Sequence, residues 1–259
     1  MLKTRVIPTL LLRDNGLVKG ENFKKHSYVG DPINAVKIFN EKEVDEIVFL
    51  DISATPNRRG PNFDLISDIA SEAFMPFGYG GGVTSVDQIE KLFNLGVEKV
   101  IMNTSAHSNP ELIREASRIA GAQSIVVSID VRKTLLGNYE VYTENGTSRT
   151  KSSPVDYAKR MEELGAGELI LCSIANEGTG KGYDLKLLES VCSAVDVPVV
   201  ALGGCGDLQD MKNAVELGAA SAVAAGNLFV FHGKLKAVLI TYPKYSELVE
   251  IFGTKSGNA

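Results

Sequence analysis

Two glycine-rich stretches lie on one another without a gap: residues 76–105 (PFGYGGGVTSVDQIEKLFNLGVEKVIMNTS) fall on residues 198–227 (PVVALGGCGDLQDMKNAVELGAASAVAAGN) at an offset of 122. The match sets Gly81 and Gly82 opposite Gly203 and Gly204, and Asn103 and Thr104 opposite Ala225 and Gly226. Glycine lets backbone N–H groups approach a ligand, and each run leads into a helix start, at Thr84-Ser85 and at Asp207, where anions are favoured. A single run would read as a tight turn. Two at duplicated positions, each completed by a neighbouring strand end, read as two phosphate cradles facing one another, suited to an elongated ligand phosphorylated at both ends. The repeat continues upstream, where residues 46–52 fall on 168–174 at the same offset and residues 5–13 fall on 124–132 at an offset of 119. In that last pair Asp130 stands opposite Leu11. Asp130 lies where a reacting group would sit between the cradles, as a general acid or base or else as a capping residue. Lys19, among glycines in NGLVKGENF, suits a mobile lid carrying a cation to a phosphate, or is a solvated lysine. Asp51, ending an apolar strand, either supports ligand-binding loops or makes a structural hydrogen bond.

The elements that would position these residues are eight short runs rich in Val, Ile and Leu, at 6–12, 47–52, 77–79, 99–102, 125–129, 169–172, 199–202 and 220–224. They are continuous rather than alternating, as strands covered on both faces should be. Between them apolar residues recur at helical spacing, as at Val86, Ile89, Leu92 and Phe93, or Leu208, Met211, Ala214 and Val215. An open doubly wound sheet is the rival, but two four-unit halves complete a circle. The expectation is an α/β chain folded as one (β/α)8 TIM barrel over residues 1–259, with half-barrels of about 1–122 and 123–252 and a flexible tail at 253–259. Two connections are long. Residues 13–31 follow the first strand, and residues 132–151 show hairpin alternation around Asn145-Gly146.

With 44% apolar residues in 259, the chain can bury one large core. A net charge of −5 gives no basic excess for nucleic acid or an anionic membrane, so the expected partners are small molecules and proteins. No run approaches the roughly 20 residues of a membrane span, and the expected location is cytoplasmic. Cys172, Cys192 and Cys205 are odd in number without Cys-x-x-Cys spacing, and with three scattered histidines neither a disulfide framework nor a metal or other cofactor is expected.

Strand beginnings carry a second message. Arg5, Glu46, Lys99 and Glu168 start strands one, two, four and six, around the N-terminal face of the barrel. Two charges of each sign can close a neutral ring there, as a stabilising plug or as a gate on a path along the axis.

Taken together, R-V-I-P-T-L-L-L-R-D with V-K-G, then G-D-P, E-I-V-F-L-D-I, G-G-G, V-V-S-I-D, G-A-G-E-L-I-L, E-G-T-x-x-G-Y-D and A-x-G-G-x-G resemble the cyclase subunit of imidazole glycerol phosphate synthase over nearly the whole chain. The resemblance implies a lyase and cyclase of histidine biosynthesis that takes ammonia from a glutaminase docked on the N-terminal face. It makes Arg5, Glu46, Lys99 and Glu168 the ammonia gate. It also implies a pair of catalytic aspartates, of which Asp130 is present and the other is replaced by Leu11. Ala175 and Glu177 stand where the family has aspartates, in the loop that also carries Thr179, and Leu202 stands where it has a serine. Loss of one of two acid–base groups removes on the order of 10²–10⁴ in rate. This pattern resembles the divergent branch associated with surface polysaccharides, which implies a relay of ammonia to a sugar amidotransferase that builds acetamidino groups. Two alternatives stay open: a true cyclase in which Asp14 or Glu177 replaces the missing aspartate, and a non-catalytic scaffold for a phosphorylated ligand.

Overall fold

In a computed structural model, which describes residues 4–134, 136–233 and 235–253, eight parallel strands close into a barrel. They are β1 (Arg5–Arg13), β2 (Ile47–Asp51), β3 (Phe77–Gly80), β4 (Lys99–Met102), β5 (Ile125–Lys133), β6 (Glu168–Ser173), β7 (Val199–Leu202) and β8 (Ala222–Ala225). Each is hydrogen-bonded to the next, and β8 returns to β1 in the register Arg5↔Ala222 to Pro8↔Ala225. The TIM barrel expected from the repeat is therefore observed. Of the tail assigned to 253–259, all but Gly253 lies outside the described residues.

The outer layer consists of α1 (Pro32–Glu41), α2 (Phe63–Glu72), α3 (Val86–Asn94), α4 (Glu111–Ala120), α5 (Pro154–Glu163), α6 (Leu185–Cys192), α7 (Leu208–Glu216) and α8 (Tyr245–Phe252). Most start at a side-chain cap, among them Asp31, Ser85, Ser153 and Asp207, which satisfies N–H groups the first turn leaves unpaired. Because side chains alternate across a strand, each barrel strand feeds two cores. Val6, Leu10, Phe49, Val100 and Leu169 face the helices. Ile7, Val48, Ile101, Val126, Ile170 and Val200 fill the axis.

The connection after β1 departs from expectation. Residues 13–31 form a two-stranded ribbon, Gly16–Glu21 with Lys24–Gly30, whose first strand pairs back onto β1 at Leu11↔Val18. It extends the sheet as a ribbon with register shifts at Leu17/Val18 and Lys19/Glu21, where an irregular loop was expected from its glycines. After β5 the expected hairpin is present, with Tyr139–Thr143 paired to Ser148–Arg149 around Asn145-Gly146.

Candidate functional site at the two ends of the barrel axis

At the N-terminal face the four charged residues assemble into one ring. Arg5 donates from Nη1 to Glu46 and from Nη2 to Glu168. Lys99 Nζ lies 2.9 Å from Glu46 Oε1 and 2.7 Å from Glu168 Oε2. Each cation thus touches both carboxylates, and the glutamate side chains are only 7% exposed. Burial acts to lower the Arg5 pKa, but hydrogen bonds and charge from Glu168 and Glu46 outweigh it and hold the group above its ordinary value. Directly above the ring is a small cavity of about 10 Å³ whose lining includes Glu46, Lys99, Glu168, Ile7, Thr9 and Ile101.

At the C-terminal face a mouth of about 1300 Å³ opens, and Thr9 and Ile101 line it as well as the small cavity, so they form the septum between the two. Leu11, Leu50 and Leu202 are apolar residues of the mouth lining, and Leu50 and Phe23 of the ribbon tip pack on the inner core that contains Leu202. Asp130 lines the mouth too, among the polar residues Thr9, Lys19, Ser128 and Glu177. Its carboxylate accepts from Asn103 Nδ2 at 3.3 Å and from Ser128 Oγ at 3.4 Å. Removal from water, with the nearby charge of Glu177, pushes its pKa up to about 7 even though the Ser128 hydrogen bond acts to lower it. A carboxyl group poised there can give or take a proton near neutrality.

The supporting residues fall in place by short contacts. Asp51 Oδ1 accepts from Ser53 N and Oγ at 2.8 and 2.6 Å and from Ala54 N at 3.1 Å, shaping the loop after β2 beside Gly81. Its two readings are thus one: a structural hydrogen bond that builds a mouth loop. Thr179 Oγ1 donates to the carbonyl of Asn176 at 2.7 Å in the loop after β6.

Two expectations change. Lys19 is not a solvated lysine: its side chain is 3% exposed and ion-paired with Glu177, against Gly226. The glycine pairs also differ in access. Gly81, Gly82, Asn103 and Thr104 line the mouth, whereas Gly203, Gly204, Ala225 and Gly226 do not. The positive φ angles of 69° at Gly82 and 114° at Gly204 explain why both positions are glycine. Asp14 lines neither cavity and is paired loosely to Arg59 at 3.8 Å, whereas Glu177 lines the mouth.

Some mouth residues escaped the sequence reading. Arg58 and Arg59 line the rim beside Gly82, and the dipeptide in ATPNRRG was their visible signal. Phe23 and Asn22 had none, because their contacts are distant: Asn22 N–H donates to the Glu177 carbonyl at 2.8 Å and its side chain to the Ala175 carbonyl at 2.6 Å. Among the described residues no helix is long and apolar enough to cross a membrane.

Comparison with known proteins agrees with this geometry. Residues 5–236 match the family described as histidine biosynthesis protein. The chain is 52% identical to a Pseudomonas aeruginosa protein provisionally named imidazole glycerol phosphate synthase subunit hisF2, over 96% of this chain and 99% of that one. It is 46% identical to a Leptospira interrogans protein provisionally named as the HisF subunit, over 97% of this chain and 100% of that one. It is 40% identical to the imidazole glycerol phosphate synthase subunit HisF of Petrotoga mobilis, over 90% of this chain and 91% of that one. With a closed eightfold barrel built from a duplicated half and matched over nine-tenths or more of its length by these proteins, the chain belongs to the HisF-type subunits of imidazole glycerol phosphate synthase.

Proposed function

We propose that this chain is an ammonia-relay subunit: it receives ammonia from a glutaminase docked at the N-terminal face, conducts it along the axis, and releases it at the mouth to a sugar amidotransferase that forms acetamidino groups in surface-polysaccharide synthesis. The observation that carries this reading is the unequal fate of the two ends. The ring of Arg5, Glu46, Lys99 and Glu168 is complete, while Leu11 and Leu202 put apolar side chains in the mouth where acid–base chemistry would be done. The small cavity above the ring has room for about one molecule of the size of water or ammonia. An apolar path beyond it favours neutral ammonia over ammonium, since a bare cation in such surroundings is strongly disfavoured.

The test has two arms. Mixed with its glutaminase partner, the chain should form a complex and stimulate glutamine hydrolysis; no complex and no stimulation would sink the relay. Supplied with excess ammonium at alkaline pH, it should turn over the two-phosphate substrate of the histidine pathway only weakly, and Leu11→Asp should gain activity. The retained Asp130, with its pKa near 7, favours a second reading, the lyase and cyclase reaction itself. Wild-type turnover matching that of an authentic cyclase would establish that reading and displace the first.

A further inference from the structure

The large apolar side chains left exposed gather mainly at the two ends of the barrel. Phe74, Ile119 and Leu217 lie in connections and helix ends at the N-terminal face, where ammonia would enter. Tyr28, Leu136, Leu235, Val238 and Leu239 lie in connections at the C-terminal face, where it would leave. Away from these ends, among the described residues, such exposure is confined to Tyr245 and Val249 of α8.

The densest group is a hairpin at the C-terminal face. After β8 the chain makes a short helix, Asn227–Val230, and then pairs Phe231–His232 with Ala237–Val238. Leu235, at the turn, is 95% exposed, and Val238 and Leu239 are about half exposed. The base beneath them is fixed. Leu239 N–H donates to the Val230 carbonyl and Thr241 N–H to the Phe229 carbonyl, each at 2.9 Å, and Phe229 and Val230 are buried. An anchored hairpin thus holds apolar side chains in water, from which a partner's surface would remove them.

The hairpin is tied to the mouth. Lys236 donates to Glu21 of the ribbon, and Phe23, Lys24, Lys25 and His26, which follow, line the cavity. The Lys236 hydrogen bond foremost, with the nearby charges of Lys25 and Lys181, holds the Glu21 pKa below its ordinary value. Arg13, Lys24 and Lys25 make no ion pair with a carboxylate among the described residues. In a chain of net charge −5, this rim carries a local positive excess. Lysines on the outer strand of the ribbon, which pairs on one side only, would by themselves serve to discourage stray strand pairing. Beside exposed leucines they border an apolar patch with charge, the layout of a specific protein contact.

Chemistry fixes the kind of occupant. Ammonia is a base, so a molecule released from a mouth of about 1300 Å³ into water takes up a proton and is no longer a nucleophile. The axis narrows at the other end to a cavity of about 10 Å³, and the care taken at entry would be lost at exit unless a second protein covered the mouth.

We propose that the hairpin after β8 and the ribbon edge at Lys24 and Lys25 form the docking surface for the enzyme that consumes the ammonia. That enzyme presents an apolar cleft to Leu235, Val238 and Leu239 and carboxylates to the lysines, and so caps the mouth. This rests on the relay reading of the barrel.

The test uses the full chain with its glutaminase and the sugar amidotransferase of the relay. The amidotransferase should bind the wild type, and bind Leu235→Asp at least about tenfold more weakly. Lys24→Glu combined with Lys25→Glu should slow association and flatten its dependence on salt. In both variants glutaminase binding and stimulation should stay as in the wild type, while product formed per glutamine hydrolysed falls and ammonium appears in solution. Equal amidotransferase binding by the wild type and both variants, with ammonia still transferred, would overturn the docking surface and leave the relay standing. A wild type that neither binds the amidotransferase nor passes it ammonia would sink the relay, and this proposal with it. Sedimentation of the chain alone covers the remaining case: a concentration-dependent dimer abolished by Leu235→Asp would assign the hairpin to a second copy instead. Because Leu235 is almost wholly exposed, its substitution leaves the fold intact, and a melting curve equal to that of the wild type checks this.

Discussion

Asp130 is an acid whose environment works against its charge, and that has a measurable sign. Its folded pKa of about 7 lies above the ordinary aspartate value of 3.8, so between those values the folded chain holds a proton that the unfolded chain has released. The stability it contributes is fully present below about pH 4 and is lost as pH rises through 7. Asp130→Asn keeps the size of the side chain and removes the charge. The variant should therefore match the wild type near pH 4 and exceed it at pH 8, by about 1–2 kcal/mol once the openness of the mouth to solvent is allowed for. Thermal melts at both pH values check this, and an equal difference at both would show that burial does not set the titration. Asp130 and Leu11 were legible in the sequence because both lie toward the C-terminal ends of apolar strands, where barrel chemistry is placed. Lys19 was only half legible. Its place among glycines could be read from V-K-G, but its partner Glu177 is 158 residues away and no local pattern announces that pair.

The β1 ribbon is the element in which local signals misled. Glycines at 16, 20 and 30 lower strand propensity, yet the chain gains a ladder onto β1 and an anchor at its tip. That anchor is Phe23, held at φ 63° and packed on the inner core, with Asn22 clasping the loop after β6. Tertiary contacts override propensity here. Removing a half-buried aromatic ring from such a site costs about 1–2 kcal/mol locally. Phe23→Ala should therefore raise amide hydrogen exchange across residues 16–30 by roughly tenfold while leaving the barrel strands and the melting temperature nearly unchanged. Exchange unchanged in the ribbon would mean that the ladder to β1 alone holds it. The barrel strands gave the opposite lesson: their apolar runs are buried on both sides, so composition and position coincide, and the runs at 99–102 and 199–202 end where the strands end.

Across the whole molecule, duplication accounts for what could be read and for what diverged. Glu46 and Glu168 occupy equivalent places in the two halves, and the ring is completed by Arg5 and Lys99, which the repeat does not pair with each other. The ring is thus part inherited symmetry and part addition, and its neutrality depends on both. Lys99→Met leaves two buried carboxylates with one arginine that is a third exposed, a loss of about 1–3 kcal/mol after allowance for solvent. Adding Glu46→Gln restores neutrality without restoring the four-way contact, so the double variant should recover much of the melting temperature. If the ring is a gate, product formed per glutamine hydrolysed should nevertheless stay low in both variants, because what they share is an opened ring rather than an unstable barrel. If coupling instead follows stability and returns in the double variant, the ring is a plug whose value is to the fold. Only the comparison of these two proteins separates the readings, since either single substitution alone changes charge, packing and passage together.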